Sequence, residues 1–392
     1  MSKIDKLIDS CWENVIRHRR WLHAHPELSG QEKNTAEYIS KALSEMGLTP
    51  KTNIGGYGIS SIIKGKNDGK CLALRADFDA LPITENTGLD CSSVNAGVSH
   101  ACGHDVHTAM LLGAAQVLLS MRDELSGSVK LIFQPSEENV ANSGAKKMIA
   151  DGVLENPKVD AIIAQHVNPH FKTGQIAVNK GSMTASSDFF SITIRGKSSH
   201  GSEPEGGIDA IVIGAQVITA IQTIVSRTIS PLDNSVISIG KVSGGTRYNV
   251  IANTFEMEGT CRNLNPSVRD TIPMLIENIV KGIAEGMGGK YDFSFVTGDP
   301  PTINSTEQFD LLRSTATEIL GDKNVIIPNK TALTGEDFAF YSEKIPAVFY
   351  WLGCQKEDAE FYPLHNEKFA PDEDAMKIGI KLMVSHALKF LK

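Results

Sequence analysis

The chain has 392 residues, 41% of them hydrophobic and 21% charged, which favours a globular protein of two domains over a disordered or fibrous one. Net charge is −8, from 38 basic and 46 acidic residues, and no Lys or Arg run supplies the basic surface that a nucleic-acid partner requires. Six scattered cysteines with no CxxC pair exclude a disulfide framework and read as reduced thiols, which points to a cytoplasmic location.

Ile4, Leu7, Ile8, Cys11, Val15, Trp21 and Leu22 recur at helical spacing, so a helix is expected over 4–25, closed by Pro26. This charged N-terminal stretch lacks the apolar centre of a secretory signal. No apolar run is expected to reach the ~18 residues of a membrane span, so no membrane partner is expected. A second helix is read over 31–47, ending at Gly47, then a buried strand over 71–77 with Asp77 near its end. A helix over 104–121, a strand over 128–134, a helix over 143–151 and a strand over 161–167 follow. This alternation indicates an α/β domain with a mostly parallel sheet flanked by helices.

The pattern then changes. Residues 189–200 alternate apolar and polar side chains, as a half-exposed strand does. A helix over 208–226, strands at VISIGKVSGG and TFEMEGTCRN, a helix over 267–286 and the strand YDFSFVTG complete a small α+β module. A helix over 306–320 and a strand over 347–353 return to the first texture. The expected organisation is a catalytic domain in two parts, 1–186 and 298–392, with an inserted α+β lid or dimerisation domain at 187–297.

The chemistry concentrates after strands, where α/β proteins place their sites. The segment HACGHDVH, residues 100–107, offers Cys102 and His104 two apart, a spacing that lets both reach one divalent ion. FQPSEE places Glu137 and Glu138 after an apolar strand, where one can bind metal and the other can act as general base. Gln165-His166 ends the 161–167 strand, and His365 lies after the last strand. Alone, either histidine is more often a satisfied structural residue, and an acidic pair on a loop is more often solvated. Five candidate ligands after strands of one sheet make a single metal centre the better reading. Such a set suits zinc, manganese, cobalt or nickel, and a metal would hold the cysteine as thiolate. A rival reading needs no metal: a thiol hydrolase with Cys102 as nucleophile and His104 as base, which leaves Glu137, Glu138, His166 and His365 unexplained.

These segments resemble the M20 metallopeptidase family, most of all its aminoacylase and amidohydrolase branch. The resemblance runs through RWLHAHPELSGQE, LRADFDALPITE, HACGHDVHTAMLLGAA, FQPSEE, GKSSHGSEPEGGIDA, GTCRN, GEDFAFY and LHNEKF in order. It implies two divalent ions held by Cys102, His104, Glu138, His166 and His365, with Cys102 as bridge. It makes Glu137 the general base and acid, and Asp79 a residue that orients a ligand. In the inserted module it gives His200 the oxyanion, across a dimer, and gives Asn249 and Arg262 the substrate's free carboxylate. Two positions depart from the peptidase pattern: Asp77 stands where many peptidases carry a metal-binding His, and Cys102 where they carry a bridging Asp. The implied reaction is hydrolysis of N-acyl amino acids by a homodimer or higher homo-oligomer. The alternatives within the family are a dipeptidase or carboxypeptidase and an N-acetyl-diaminopimelate deacetylase. Of the remaining polar residues, His107 is read as a support for His104, Arg75 as a partner for a buried carboxylate, and Asp337 as the cap of the helix after it.

Overall fold

The structure, a computed structural model, describes residues 2–392. The chain divides into two compact units: Met1–Met183 with Thr302–Thr331 and Asp337–Lys392, and Thr184–Pro301 with Ala332–Glu336. The expected insertion, 187–297, falls inside the second unit, which also takes in short flanks and the separate segment Ala332–Glu336.

In chain order the first unit opens with α1 (Lys3–Ala24), α2 (Lys33–Glu45), β1 (Lys51–Ile54), β2 (Gly58–Lys64), β3 (Asn67–Asp77), α3 (His104–Ser120), β4 (Ser126–Gln134), α4 (Gly144–Ala150), β5 (Ala161–Lys172), β6 (Ile176–Ala177) and β7 (Gly181–Ser182). The second unit holds β8 (Ser187–Arg195), α5 (Ala210–Thr223), β9 (Ser235–Gly244), β10 (Thr254–Asn263), α6 (Pro266–Gly286) and β11 (Lys290–Asp299). The first unit resumes with β12 (Ile303–Asn304), α7 (Thr306–Leu320), β13 (Val325–Ile326), α8 (Ala339–Ser342), β14 (Ala347–Gln355) and α9 (Ala375–Phe390).

The eight-stranded sheet of the first unit runs β1-β2-β4-β3-β5-β14-β6-β13. Its central strands β4, β3, β5 and β14 are parallel, while β1, β2 and β6 join antiparallel, so the sheet is mixed. Leu72, Leu74, Leu131, Phe133, Ile162 and Phe349 on the central strands are fully buried, as strands covered on both faces require. Nearly every side chain of α3 is buried, and α1 and α9 pack against it. A capping box between Ser2 and Asp5 starts α1. The strands β1 and β2 and the helix α9 were not among the expected elements. The first two are short, and the third follows Asp374, which stands at its N-cap without a side-chain cap hydrogen bond.

The second unit is a four-stranded antiparallel sheet, β11-β8-β10-β9, backed by α5 and α6. Its core joins Phe190, Ile192, Ile194, Ile213, Val217, Ile221, Met257, Ile272 and Ile276. Two expectations are corrected here. The strand expected over 189–200 ends at Arg195, and Lys197 and His200 form only isolated bridges, to Ile208 and Val250. The apolar run Ala210–Thr228 is 19 residues long with a mean hydropathy of 1.5, long and apolar enough to span a membrane. Ile213, Val217 and Ile221 from this run are buried in the core, and its other face carries exposed Ile211 and Val212. Apolar residues on both faces of one helix make such a run without a membrane.

Candidate metal centre

The polar residues of the first unit gather where β3, β4 and β5 leave the parallel core. Asp77 closes β3 in register with Gln134, the last residue of β4. The chain after β4 turns through Ser136, a non-glycine residue at φ +54°, and delivers Glu137 and Glu138. Gly103, at φ +86°, lets the chain turn between Cys102 and the first residue of α3. A Cβ there would lie 2.5 Å from Val167 Cγ2. His166 lies within β5, which continues to Lys172 rather than ending at the histidine. His365, at φ +65°, is tied in by its own N–H, 2.8 Å from the Ala101 carbonyl.

These turns bring the five candidate ligands together. Cys102 Sγ lies 3.3 Å from Nε2 of His166 and 3.3 Å from Nε2 of His365. His365 Nε2 is 3.2 Å from Glu138 Oε1, and His104 Nε2 is 4.0 Å from the same oxygen. Glu137 Oε2 stands 3.9 Å from His104 Nε2. Two triads of donor atoms share the thiol: Cys102, His104 and His166, and Cys102, Glu138 and His365, the atoms of each within 4.8 Å of one another.

Partners behind the ligands set which atom faces the centre. His104 Nδ1 donates to Asp79 Oδ1 at 3.2 Å, and His166 Nδ1 donates to the Val167 carbonyl at 2.7 Å, so both turn Nε2 inward. His107 acts differently from the expectation. Its Nδ1 donates to Asp77 Oδ1 at 2.6 Å and its Nε2 accepts the Val167 N–H at 2.9 Å. Both ring nitrogens are used, so His107 anchors the backbone next to His166 rather than supporting His104. Asp77 completes this chain by accepting from Arg75 Nη1 at 2.6 Å, so Arg75 pairs with a buried carboxylate. These bonds use both ring nitrogens of His107 and tie Asp77 to Arg75 and His107. Asp337 is also corrected. Its fully buried carboxylate accepts from Arg75, Gln134, Ser143 Oγ and the Ala145 N–H, so it caps α4 instead of the helix that follows it in sequence.

A divalent cation fits this donor set. His104 Nε2 is buried without a hydrogen-bond partner, which is costly unless another group satisfies it, and Glu138 Oε1 faces the ring nitrogens of His365 and His104. Burial raises the Cys102 thiol well above its usual range, and the Glu138, Glu137 and Asp77 carboxylates add to that rise. Burial pulls His104 down, but Asp77, Asp79 and Glu138 together push it up to about 10. Excess negative charge around inward-facing imidazoles and a thiol is the electrostatic setting that a cation neutralises.

The chain matches the family described as Peptidase family M20/M25/M40 over residues 73–389. It belongs to that family. An N-acyl-L-amino acid amidohydrolase of Geobacillus stearothermophilus is 42% identical over 305 residues, 78% of this chain and 82% of that protein. A thermostable carboxypeptidase of Saccharolobus solfataricus is 38% identical, covering 96% of this chain and 95% of its own. The crystal structure of a dinuclear metal binding peptidase of the M20 family from Bacillus subtilis is 35% identical, with a TM-score of 0.85 over 98% of this chain and 99% of that one. The mixed sheet flanked by helices matches that M20 structure.

The remaining expected residues lie in the second unit. Exposed His200 accepts the Ser202 N–H on Nδ1 at 3.2 Å, and Gly201 N–H donates to the Asn249 carbonyl at 2.9 Å, so His200 and Asn249 adjoin. This junction sits beside the Thr254 end of β10, while Arg262 sits at the other end, bonded to Ser187 Oγ. Eight residues of strand separate Thr254 from Arg262, roughly 26 Å at the rise of a β-strand. Within one chain, Asn249 and Arg262 therefore stand apart, near opposite ends of β10. Glu32 was not singled out in the sequence, yet it holds Ser136 beside Glu137. It lies in the segment RWLHAHPELSGQE, but a glutamate before a polar helix start reads as solvated, and nothing local announces that it is fully buried.

Proposed function

We propose that this chain is a metal-dependent amidohydrolase that cleaves N-acyl amino acids, adding water across the amide to yield a carboxylic acid and a free amino acid. The observation that carries this reading is the pair of donor triads sharing Cys102, with Glu137 beside them. Cys102, His104, Glu138, His166 and His365 would hold two divalent ions, drawn from zinc, manganese, nickel or cobalt, which polarise the scissile carbonyl and acidify water when bound.

The chain's own residues do the rest. Glu137 takes a proton from the attacking water and passes it to the leaving amine nitrogen. Asp79 holds His104 in its tautomer, and the Arg75–Asp77–His107 chain holds the backbone beside His166. Arg262 pairs with the substrate carboxylate through its planar fork. His200 hydrogen-bonds the oxyanion, and Asn249 joins it on the substrate, both supplied by a second copy of the chain. The roughly 26 Å between the two ends of β10 supports that division. So do the edge position of β9, with exposed Val236 and Val242, and the exposed Ile211 and Val212 of α5, a surface suited to pairing two copies. The expected partner is thus a homodimer, and the six free cysteines support a cytoplasmic location. The carboxypeptidase reading uses the same site with an aminoacyl group in the acyl position, and the similarity to a thermostable carboxypeptidase favours including it.

Glu137→Gln tests the assignment on a panel of N-acetyl and N-benzoyl amino acids. We expect kcat to fall by about 10³-fold or more with the metal content unchanged. Activity equal to the parent protein defeats the reading and restores the thiol hydrolase, which makes no use of Glu137.

A further inference from the structure

Glu32 stands at the start of α2 yet makes no side-chain hydrogen bond to its own helix. Glu27 caps that helix instead: its Oε1 accepts from Asn34 N at 3.2 Å and its Oε2 from Thr35 N at 2.8 Å. The Glu32 carboxylate turns the other way and is fully buried. Its Oε1 accepts the Ser136 N–H at 2.9 Å and the Ser136 hydroxyl at 3.2 Å, and its Oε2 has no hydrogen-bond partner. A buried carboxylate with an unsatisfied oxygen opposes stability, because an amide or an apolar side chain would fill the same space more cheaply. Local rules broken at a buried position mark a functional constraint.

The residue it grips explains the constraint. Ser136 adopts the left-handed region at φ +54°, which costs a residue with a Cβ on the order of 1 kcal/mol or more unless its surroundings impose it. It immediately precedes Glu137. On the other side of Glu137, the Glu138 N–H donates to Asp79 Oδ2 at 3.0 Å, and Ser29 Oγ donates to the same oxygen at 2.7 Å. Two buried carboxylates thus hold the backbone N–H groups that flank Glu137. Asp79 is bound to the centre through His104, whereas Glu32 hydrogen-bonds none of the five proposed ligands; it holds Ser136, with the Gly30 backbone and the Asp79 carboxylate also beside it.

We propose that Glu32 is a positioning residue for catalysis. By holding Ser136 N–H and hydroxyl in the left-handed turn, it fixes the direction in which Glu137 leaves the backbone. This rests on Glu137 being the general base. A carboxylate misplaced by about 1 Å loses proton-transfer efficiency without losing its charge, which affects turnover more than substrate or metal binding.

Three variants, assayed as metal-loaded full-length protein, test the proposal: Glu32→Met, which fills the space without an acceptor; Glu32→Gln, which keeps a carbonyl oxygen for Ser136; and Glu137→Gln as reference. The expected result for Glu32→Met is a fall in kcat of about 30- to 100-fold, with KM and metal content per chain within twofold and a Tm within a few degrees of the parent. Glu32→Gln should recover kcat to within about fivefold. A Glu32→Met enzyme with parental kcat overturns the inference. So does loss of metal or a rise in KM that accounts for the whole effect, or a Glu32→Gln enzyme as impaired as a poorly folded Glu32→Met. An active Glu137→Gln variant instead defeats the functional reading itself, so the two failures are told apart.

Discussion

At the scale of single residues, polar groups are satisfied through long-range wiring rather than by neighbours in sequence. Arg75 bridges Asp77 and Asp337, 260 positions apart, and His107 closes onto the Val167 backbone. Each partner fixes a tautomer or a rotamer, as the Asp79 and Val167 oxygens do in turning Nε2 of His104 and His166 inward. Away from the centre, His386 shows what burial does to an imidazole, with the Lys389 charge adding to it. Its Nε2 pairs with Gln308 Oε1 at 3.2 Å, and burial lowers its pKa to about 3. His18 is held down by burial in the same way, to about 4. The folded state keeps His386 neutral, whereas the unfolded chain takes up a proton below about 6.5. Unfolding therefore binds protons between about pH 6.5 and 3, and stability declines as pH falls through that window. His386→Gln keeps a donor for Gln308 and removes the titration. Compared with the parent, its urea unfolding midpoint should lose less between pH 7 and pH 5, by an amount equivalent to roughly 2 kcal/mol. An identical pH dependence of the two proteins would show that His386 takes no part in acid sensitivity.

At the scale of elements, the centre depends on how closely α4 presses on the chain that leaves β4. Gly144 N–H donates to the Ser136 carbonyl at 3.1 Å, and a Cβ on Gly144 would lie only 1.7 Å from the Pro135 carbonyl oxygen. That contact is with backbone, so a side chain at 144 must displace the segment carrying Ser136, Glu137 and Glu138. Gly144→Ala should destabilise the protein by about 1–3 kcal/mol, as overpacking does. It should also lower kcat by more than tenfold. Thermal unfolding and steady-state kinetics on one preparation check both, and a fully active alanine variant would mean that the segment accommodates the shift. The capping of α4 by Asp337 belongs to the same scale. Sequence reasoning assigned Asp337 to the next helix because capping is usually local; here the cap comes from nearly two hundred residues away.

At the scale of the whole molecule, the proposed oligomer makes a prediction that a monomer cannot satisfy. If His200 serves a second copy's centre, Glu137→Gln and His200→Ala chains are each inactive alone. A hybrid of the two then carries one intact centre out of two. Random exchange of subunits makes half of the dimers hybrid, so mixing should restore about a quarter of parental activity. No recovery after verified subunit exchange would place His200 and Glu137 on one chain's reaction.

Much of this protein was legible in its sequence because the relevant signals are local. Helical and strand periodicities located α1, α3, β3, β4, β5 and β14, and the motifs HACGHDVH and FQPSEE marked Cys102, His104 and Glu138 as proposed ligands and Glu137 as proposed base, since turn glycines and strand ends are written in short segments. The resemblance ordered those segments along the chain. Tertiary structure alone decided which residues converge across hundreds of positions. It turned Asp337 toward α4 and His107 toward Val167, and it separated Asn249 from Arg262 along β10. It also sent Glu32 away from its own helix to Ser136. Burial and orientation belong to the packed whole, and no stretch of sequence specifies which distant oxygen will meet a given N–H once water is excluded.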